Sequence, residues 1–156
     1  MLKGLEGKTV LVTGAAGGIG SEACRRLVAE GANVVATDIS DEASKALADT
    51  LAGQAVGGGA DISTAAGVAA AIEAGVAAFG GIDLAFANAG VECCAAPIAE
   101  FSEAEYDRVF NVNVRGAFLT AQAMVNHLTA AGKPGHILFT ASIAGLQAGW
   151  GPLAYS

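Results

Sequence analysis

The sequence predicts an α/β fold, in which a parallel sheet is covered by helices on both faces. Two observations lead to this prediction. Short apolar runs alternate along the chain with longer segments of helical periodicity, and the short runs are apolar throughout rather than at every second residue. The 156 residues are 53% hydrophobic and 15% charged, which is enough apolar surface to bury a core. We therefore expect one domain over residues 1–156, built as a doubly wound parallel sheet.

Five short runs are the predicted strands. Four of them are continuously apolar, which predicts burial on both faces; they are Thr9–Thr13 and residues 33–37, 83–87 and 136–140. The third strand is inferred mainly from its place in the alternation. Its residues 54–56 run directly into Gly57, Gly58 and Gly59, and glycine lowers strand propensity.

Five helices are predicted between these runs. Ile19, Ala23 and Leu27 recur at helical spacing, and Gly31 follows them as a left-handed cap. The other helices are expected over residues 41–51, 64–79, 102 to about 110, and 114–131. Plausible N-caps for the second, third and fourth helices are Ser40, Ser63 and Ser102, and Ser102 forms a capping-box pattern with Glu105.

Charge and hydropathy exclude several classes of partner. Fifteen acidic residues against eight basic ones give a formal charge of -7, which disfavours nucleic acid and anionic membranes as partners. No stretch approaches the roughly 18 consecutive apolar residues of a membrane span, and the N-terminus lacks the apolar run of a signal peptide. These features predict a cytoplasmic protein.

The three cysteines, Cys24, Cys93 and Cys94, predict reduced structural thiols. Their number is odd, they form no CxxC motif, and adjacent cysteines rarely bridge each other because the geometry is strained. The two histidines, His127 and His136, lie far along the chain from these thiols, so we expect no metal site. Reduced thiols are typical of a reducing compartment.

A glycine-rich segment, residues 13–20 (TGAAGGIG), follows the first predicted strand and opens the first predicted helix. Glycines at this point allow the pyrophosphate of a dinucleotide to approach backbone N–H groups and the positive end of the helix. In a sequence with 22 glycines the pattern alone is weak, but its position between strand and helix makes it informative. It predicts a Rossmann-like dinucleotide site with contacts from Gly14, Ala16, Gly18, Ile19 and Gly20.

Asp38 ends the second predicted strand, 18 residues beyond Gly20. A carboxylate at this position can accept hydrogen bonds from the hydroxyl groups of an adenosine ribose, and it repels a 2′-phosphate. Asp38 therefore favours NAD over NADP. The alternative is that Asp38 is a solvated acid in the turn after the strand.

Four further motifs follow along the chain: Asp61-Ile62; Ala87-Asn88-Ala89-Gly90; Asn113-Val114-Arg115-Gly116; and Ser142 with Tyr155 thirteen residues later. With the glycine-rich segment, this order resembles the short-chain dehydrogenase/reductase family, and the resemblance extends from Lys3 to the last residue. One departure is that Ala87 replaces the first Asn of the family's Asn-Asn-Ala-Gly motif. Each motif alone has a plainer explanation, such as a turn-forming Asn, a helix cap or a half-buried aromatic.

The resemblance implies a role for each of these residues. Tyr155 would be the acid/base of a hydride transfer, Ser142 would hydrogen-bond the substrate oxygen, and Asn113 would hold a water of the proton relay. The cofactor-binding set implied by the family, beyond the glycine-rich segment and Asp38, is Asp61, Ile62, Asn88, Ala89 and Gly90.

The resemblance also implies a longer native chain. In the family a lysine four residues after the tyrosine favours the phenolate, and this sequence stops at Ser156, inside the Tyr-x-x-x-Lys motif. The fold is thus expected to be truncated after the fifth strand. In the family the helix at 114–131 and the helix that follows the tyrosine form much of the dimer interface. Without the following helix, the apolar face with Phe118, Met124 and Val125 is expected to lose its partner.

Three functions stay open at this point. The first is an NAD-dependent oxidoreductase acting on a small secondary alcohol or carbonyl compound, such as a 3-oxoacyl thioester, a cyclic alcohol, a diol or a polyol. The second is a truncated NAD-binding fragment or paralogue without turnover, because the catalytic lysine is absent. The third, a structural or interaction domain, requires the glycine-rich segment and Asp38 to be coincidences. The near wall of a substrate site would come from Glu92, Cys93, Cys94, Leu146 and Trp150.

Overall fold

The computed structural model describes residues 4–146 and 151–155. Five parallel strands form one sheet in the order β3-β2-β1-β4-β5. They are β1 (Thr9–Thr13), β2 (Asn33–Asp38), β3 (Ala55–Gly59), β4 (Leu84–Ala87) and β5 (His136–Phe139). The chain builds the sheet outward from β1 in one direction and then, from β4 onward, in the other. The predicted doubly wound α/β fold is confirmed.

Helices cover both faces of this sheet. They are α1 (Gly18–Ala29), α2 (Asp41–Asp49), α3 (Ala65–Phe79), α4 (Glu103–Phe110) and α5 (Ala117–Ala131). A π-helical segment, Asn111–Gly116, joins α4 to α5 without a break, so two helices predicted as separate form one continuous run. Across the described ranges, no helix is long and apolar enough to span a bilayer.

Two predicted N-caps and the glycine cap are confirmed, and two points are corrected. In the expected capping box, the Glu105 carboxylate accepts from Arg108 and the Cys94 N–H rather than from the Ser102 N–H. Ser40 and Ser102 each accept a hydrogen bond from the backbone N–H three residues on, and Gly31 adopts a φ of 86° after α1. Ser63 was the wrong choice for α3, because the hydroxyl of Thr64 accepts the N–H of Gly67 instead. The Ser63 hydroxyl is engaged elsewhere, since it donates to the Asp61 carboxylate at 2.7 Å.

The apolar core lies on both sides of the central strands. β1 is buried at all five residues and β2 at its four central ones, as their continuous apolarity predicts. The prediction of two buried faces is wrong for β5, where Leu138 is 63% exposed, because within residues 4–146 and 151–155 β5 lies at the edge of the sheet and pairs with β4 alone. Phe118 and Val125 of the expected unpartnered face are exposed, but the prediction is wrong for Met124, which is fully buried because it packs on the sheet within the core.

The third strand, β3, is rich in glycine, and the missing side chain at Gly57 allows α2 to pack closely on it. A Cβ at Gly57 would overlap the carbonyl oxygen of Ser44 and lie 2.6 Å from the Cα of Lys45. The middle glycine, Gly58, has open space at the same point. Low strand propensity at Gly57 is therefore offset by close packing between α2 and β3, which sequence periodicity does not reveal.

Replacement of Gly57 by alanine tests this packing. Gly57→Ala should lower the free energy of unfolding by about 1–3 kcal/mol, because the new methyl group meets backbone atoms of α2 that can move only with the helix. Gly58→Ala in the same strand is the matched control and should change stability by less than about 0.5 kcal/mol. Urea denaturation of the two variants measures the difference, and equal stabilities would contradict the packing argument.

Candidate functional site

Two joined cavities lie at the carboxyl ends of the parallel strands, where open α/β sheets bind ligands. The larger has a volume of about 550 Å³ and is lined by Gly14, residues 17–20, Asp38, residues 88–92, Asn113, residues 140–142 and Tyr155. The smaller has a volume of about 240 Å³ and is lined by Gly14, Asp38, Ile39, residues 60–62, residues 89–91, Arg108 and Val112. They are continuous because they share Gly14, Asp38, Ala89, Gly90 and Val91.

The glycine-rich segment shapes the floor of the larger cavity. Gly14 has a φ of 65°, and a Cβ there would lie 2.7 Å from the Cα of Ala89. A Cβ at Gly20 would overlap the carbonyl oxygen of Gly14, whereas Gly18 faces open space. The first turn of α1 has no side-chain cap and no acidic residue, so its N–H groups and the positive end of the helix are available to an anionic ligand.

Asp38 is fixed where the two cavities meet. One carboxylate oxygen accepts the Ala16 N–H at 3.0 Å, and the other accepts the Ser40 N–H at 3.3 Å. An ionised carboxylate has about four lone-pair directions, so both oxygens can accept a further hydrogen bond from a ligand. Ala16 is not part of either cavity lining and acts here by orienting Asp38.

The smaller cavity has mainly apolar walls with two acidic residues, Asp38 and Asp61. Asp61 and Ile62 both line it, and the Asp61 carboxylate is held by the N–H of Ser63 at 3.0 Å. Ile39 and Val112 complete the apolar surface, and Ile39 is 74% exposed. Sequence reasoning missed both residues, because an isoleucine after a strand and a valine in a helix carry no polar signal.

Asn88 ties three strand ends together. Its side-chain N–H₂ group donates to the carbonyl oxygens of Thr13 and Gly14 at 3.2 and 3.4 Å, and its side-chain oxygen accepts the Thr140 hydroxyl at 2.9 Å. The Thr13 hydroxyl in turn accepts the N–H groups of Asn88 and Ala89 at 3.0 and 3.1 Å. Thr13 and Thr140 were not predicted as site residues, although each stands at or just beyond the carboxyl end of a predicted strand.

Asn113 lies in the π-helical segment and faces the backbone of Val91. Its side-chain oxygen accepts the Val91 N–H at 2.8 Å, and its N–H₂ group donates to the Val91 carbonyl oxygen at 2.9 Å. Both ends of the amide are therefore engaged in holding the segment after β4. The expected role in holding a water remains a prediction, and the two bonds to Val91 give Asn113 a positioning role besides it.

Ser142 and Tyr155 line the same larger cavity as Asn113, so the structure brings the three predicted catalytic residues to one space. The Ser142 oxygen accepts the N–H of Ala144 at 3.1 Å, which leaves its hydroxyl proton free to donate to a ligand. Tyr155 is half-buried, and its backbone N–H donates to the carbonyl oxygen of Pro152 at 3.0 Å.

Of the residues predicted to form the near wall of the substrate site, only some lie where they were expected. Glu92 lines the larger cavity. Cys93 is buried, Cys94 is exposed and Leu146 is 82% exposed, and none of the three belongs to either lining. Trp150 lies outside the described residues.

The thiols are free at all three positions. Burial raises the pKa of the Cys24 thiol to about 12, which keeps this side chain protonated and unreactive at neutral pH. Within residues 4–146 and 151–155, no group of three or more His, Cys, Asp or Glu side chains is arranged to hold a metal ion.

Arg108 and Glu105 of α4 form a further polar cluster beside the site. The Arg108 guanidinium donates to both carboxylate oxygens of Glu105, at 2.9 and 2.8 Å, and to the carbonyl oxygen of Glu92. The hydrogen bond from Arg108, with that from the Cys94 N–H, lowers the pKa of Glu105 to about 2, so the carboxylate stays ionised until the pH falls to that value. Sequence reasoning treated Glu105 only as a capping residue and missed Arg108.

The fold and the two joined cavities define an α/β protein of the dinucleotide-binding class. Comparison with known sequences then identifies the family: residues 8–156 match the family model described as short chain dehydrogenase, and the chain belongs to that family.

Two curated relatives illustrate the similarity. The chain is 39% identical over 142 residues to a 2,5-dichloro-2,5-cyclohexadiene-1,4-diol dehydrogenase of Sphingobium indicum, covering 91% of this chain and 57% of that protein. It is 40% identical over 142 residues to a 3-alpha-(or 20-beta)-hydroxysteroid dehydrogenase of Mycobacterium bovis, covering 91% and 54%. The chain therefore spans little more than half the length of these relatives.

Solved structures agree with this assignment. A 3-ketoacyl-(acyl-carrier-protein) reductase from Brucella melitensis, complexed with NADH, superposes with a TM-score of 0.84 at 35% identity, covering 90% of this chain and 59% of that one. A short-chain type dehydrogenase/reductase from Mycobacterium marinum gives a TM-score of 0.86 at 32% identity, covering 92% and 57%.

Replacement of Thr13 tests how much the site depends on the hydroxyl between β1 and β4. Thr13→Val should lower the free energy of unfolding by about 1–3 kcal/mol, since two backbone N–H groups lose their acceptor in a partly buried position. Thr13→Ser keeps the hydroxyl and should cost about 1 kcal/mol or less. Thermal or urea denaturation compares the two, and a valine variant as stable as the serine variant would contradict the role of the hydroxyl.

Proposed function

We propose that the whole protein is an NAD-dependent oxidoreductase, which transfers a hydride between nicotinamide and the carbinol or carbonyl carbon of a small alcohol or carbonyl compound. The observation that carries this proposal is that Ser142, Tyr155 and Asn113 line one cavity, and that this cavity is continuous with the one that contains Asp61 and Ile62. The family assignment supports a nicotinamide cofactor.

The proposed cofactor arrangement follows from the chemistry of the two cavities. The uncapped first turn of α1 and Gly18 would receive the pyrophosphate. The apolar walls around Ile62 suit an adenine ring, and Asp38 at the junction suits the adjacent ribose hydroxyls. The larger cavity would then hold the nicotinamide, where the cofactor supplies or accepts the hydride. Because Asp38 repels a 2′-phosphate, the proposal specifies NAD rather than NADP.

The residues around the larger cavity would manage the proton and the developing charge. The Tyr155 hydroxyl would give a proton to the substrate oxygen during reduction and accept it back during oxidation. The Ser142 hydroxyl, whose proton is free, would donate a hydrogen bond to the same oxygen and stabilise its partial negative charge. Asn113 would keep Val91 in place beside the cofactor and hold a water of the proton relay.

The relatives support a substrate with a secondary alcohol on a ring. The name of the Sphingobium relative refers to a cyclic diol and that of the Mycobacterium relative to a hydroxysteroid. A 3-oxoacyl thioester is the other class to consider, since one solved neighbour is a 3-ketoacyl reductase.

A second candidate is an NAD-binding chain without turnover. It is favoured by one observation: among the residues that the structure describes, neither cavity lining contains a lysine.

Self-association and a cytoplasmic location belong to the same proposal. Apolar side chains of α4, the π-helical segment and α5 are exposed along one continuous helical run; they include Phe110, Val114, Phe118 and Val125, which are 37%, 57%, 59% and 54% exposed. Exposed apolar surface of this kind is typical of an interface between subunits, and we propose a homo-oligomer, either a dimer or a tetramer.

Removal of the Asp38 carboxylate tests the cofactor assignment. Asp38→Ala should raise the Kd for NADH by about 10- to 100-fold, because hydrogen bonds to an ionised group are lost. The Kd values for NADH and NADPH should also become more similar, because the carboxylate that repels a 2′-phosphate is removed. Fluorescence titration with both cofactors measures the change. Asp49→Ala is the matched control, since Asp49 is exposed at the end of α2 and lines neither cavity. No NADH binding by the unsubstituted chain would contradict the proposed function.

Removal of the Tyr155 hydroxyl separates the two candidate functions. With NAD and a panel of cyclic alcohols and diols, the rate of NADH formation should fall about 10²- to 10⁴-fold in Tyr155→Phe, while the Kd for NADH changes by less than about threefold. Tyr106→Phe, on the exposed side of α4, should keep full activity. NADH binding with no NADH formation by the unsubstituted chain would favour the second candidate.

A further inference from the structure

The segment after β4, residues 91–94, is attached to the continuous helical run at three successive points. Asn113 holds both backbone groups of Val91, Arg108 donates to the carbonyl oxygen of Glu92, and the Cys94 N–H donates to Glu105 at 3.0 Å. This segment carries Glu92, which lines the larger cavity. Its position relative to that cavity is therefore set by side chains of α4 and the π-helical segment.

Three side chains hold this segment, those of Asn113, Arg108 and Glu105, and of the three residues it is Arg108 that lines the smaller cavity, beside Val91 of the segment itself. Glu92, by contrast, lines only the larger cavity. Arg108 thus borders the proposed adenine space and, through its guanidinium, holds the backbone of the proposed substrate-side wall.

We propose that Arg108 is a positioning residue that couples occupancy of the smaller cavity to the order of residues 91–94. The inference rests on the proposed function, because the ligand that occupies the smaller cavity is taken to be the adenosine part of NAD(H). Its consequence is that cofactor binding arranges the wall against which the substrate then binds.

The physical basis is the exposure of the Arg108–Glu105 pair. The two side chains are 46% and 20% exposed, and an ion pair accessible to water contributes little because it is screened and leaves its long side chains mobile. A ligand in the smaller cavity removes water from one side of Arg108 and blocks its other rotamers. Hydrogen bonds from Arg108 to Glu92 and Glu105 are strengthened when water is excluded, so the bound state favours the attached segment.

Hydrogen exchange at the Cys94 amide measures this coupling in the chain itself. Cys94 lines neither cavity, so a bound cofactor cannot cover its N–H directly, and its exchange reports opening of the bond to Glu105. We expect saturating NADH to slow this exchange by about three- to tenfold. The exchange is followed at single-residue resolution by mass spectrometry or NMR.

Two substitutions of Arg108 and one matched control complete the experiment. In Arg108→Met the ligand-free exchange at Cys94 should rise by about three- to tenfold, and NADH should change it by less than about twofold. Arg108→Lys preserves the charge but not the planar fork, so it should restore little of the protection. Arg115→Met makes the same chemical change at an exposed position in the π-helical segment, outside both cavities, and should behave like the unsubstituted chain.

The outcomes distinguish this inference from the function on which it rests. NADH that binds the unsubstituted chain without slowing exchange at Cys94 would contradict the coupling and leave the proposed function intact. If NADH slowed exchange at Cys94 equally in Arg108→Met and in the unsubstituted chain, that result would also contradict the coupling and leave the proposed function intact. A failure of NADH to bind at all would contradict the proposed function and the coupling together.

Discussion

The whole arrangement depends on how closely the carboxyl ends of β1 and β4 approach each other. These two strands are neighbours in the sheet although they are far apart in the chain, and the loops that follow them diverge to opposite sides. The approach is possible because Gly14 has no side chain where its Cβ would meet Ala89, and it is stabilised by the Thr13 hydroxyl, which accepts two N–H groups of the second loop. A bulky residue at position 14 would push the two loops apart. Because both cavities are lined by residues of both loops, this change would alter the shape of both cavities.

Asn88 extends the same junction to a third strand. Because its amide bonds to backbone oxygens beyond β1 and accepts the hydroxyl of Thr140 beyond β5, it aligns the strand end that leads to Ser142. The proposed cofactor side and the proposed catalytic side of the larger cavity are thus connected through one side chain. The second Asn of the family motif is present at this point, whereas Ala87, in place of the first, is buried in β4 and contributes a backbone contact, since its carbonyl oxygen accepts the Thr140 N–H at 3.0 Å.

Much of the fold and of the candidate site could be predicted from the sequence, and the features that were not predicted have physical explanations. Strands and helices whose burial follows a simple period were found, as were Asp38, Asn88 and Ser142, since polar residues at strand ends stand out against apolar runs. The edge position of β5 was missed, because an apolar run indicates burial only if covering elements are present on both faces. Three other features were missed for a different reason, namely Thr13, Arg108 and the π-helical segment. Their roles depend on contacts with residues far away in the chain, and the local sequence pattern does not indicate such contacts.

The π-helical segment shows why such contacts matter for the site. The helical run over residues 103–131 makes two different contacts. Met124 of α5 packs on the sheet, while Asn113 and Arg108 contact the segment after β4. A regular helix would have to point both sets of side chains in the required directions without any change of register. A π-helical turn contains extra residues per turn, so it rotates the side chains before it relative to those after it. Asn113 lies within this turn, and its amide meets both backbone groups of Val91 while α5 keeps its register on the core. The irregular turn therefore allows one helical run to pack on the core at one end and to hold the segment after β4 at the other.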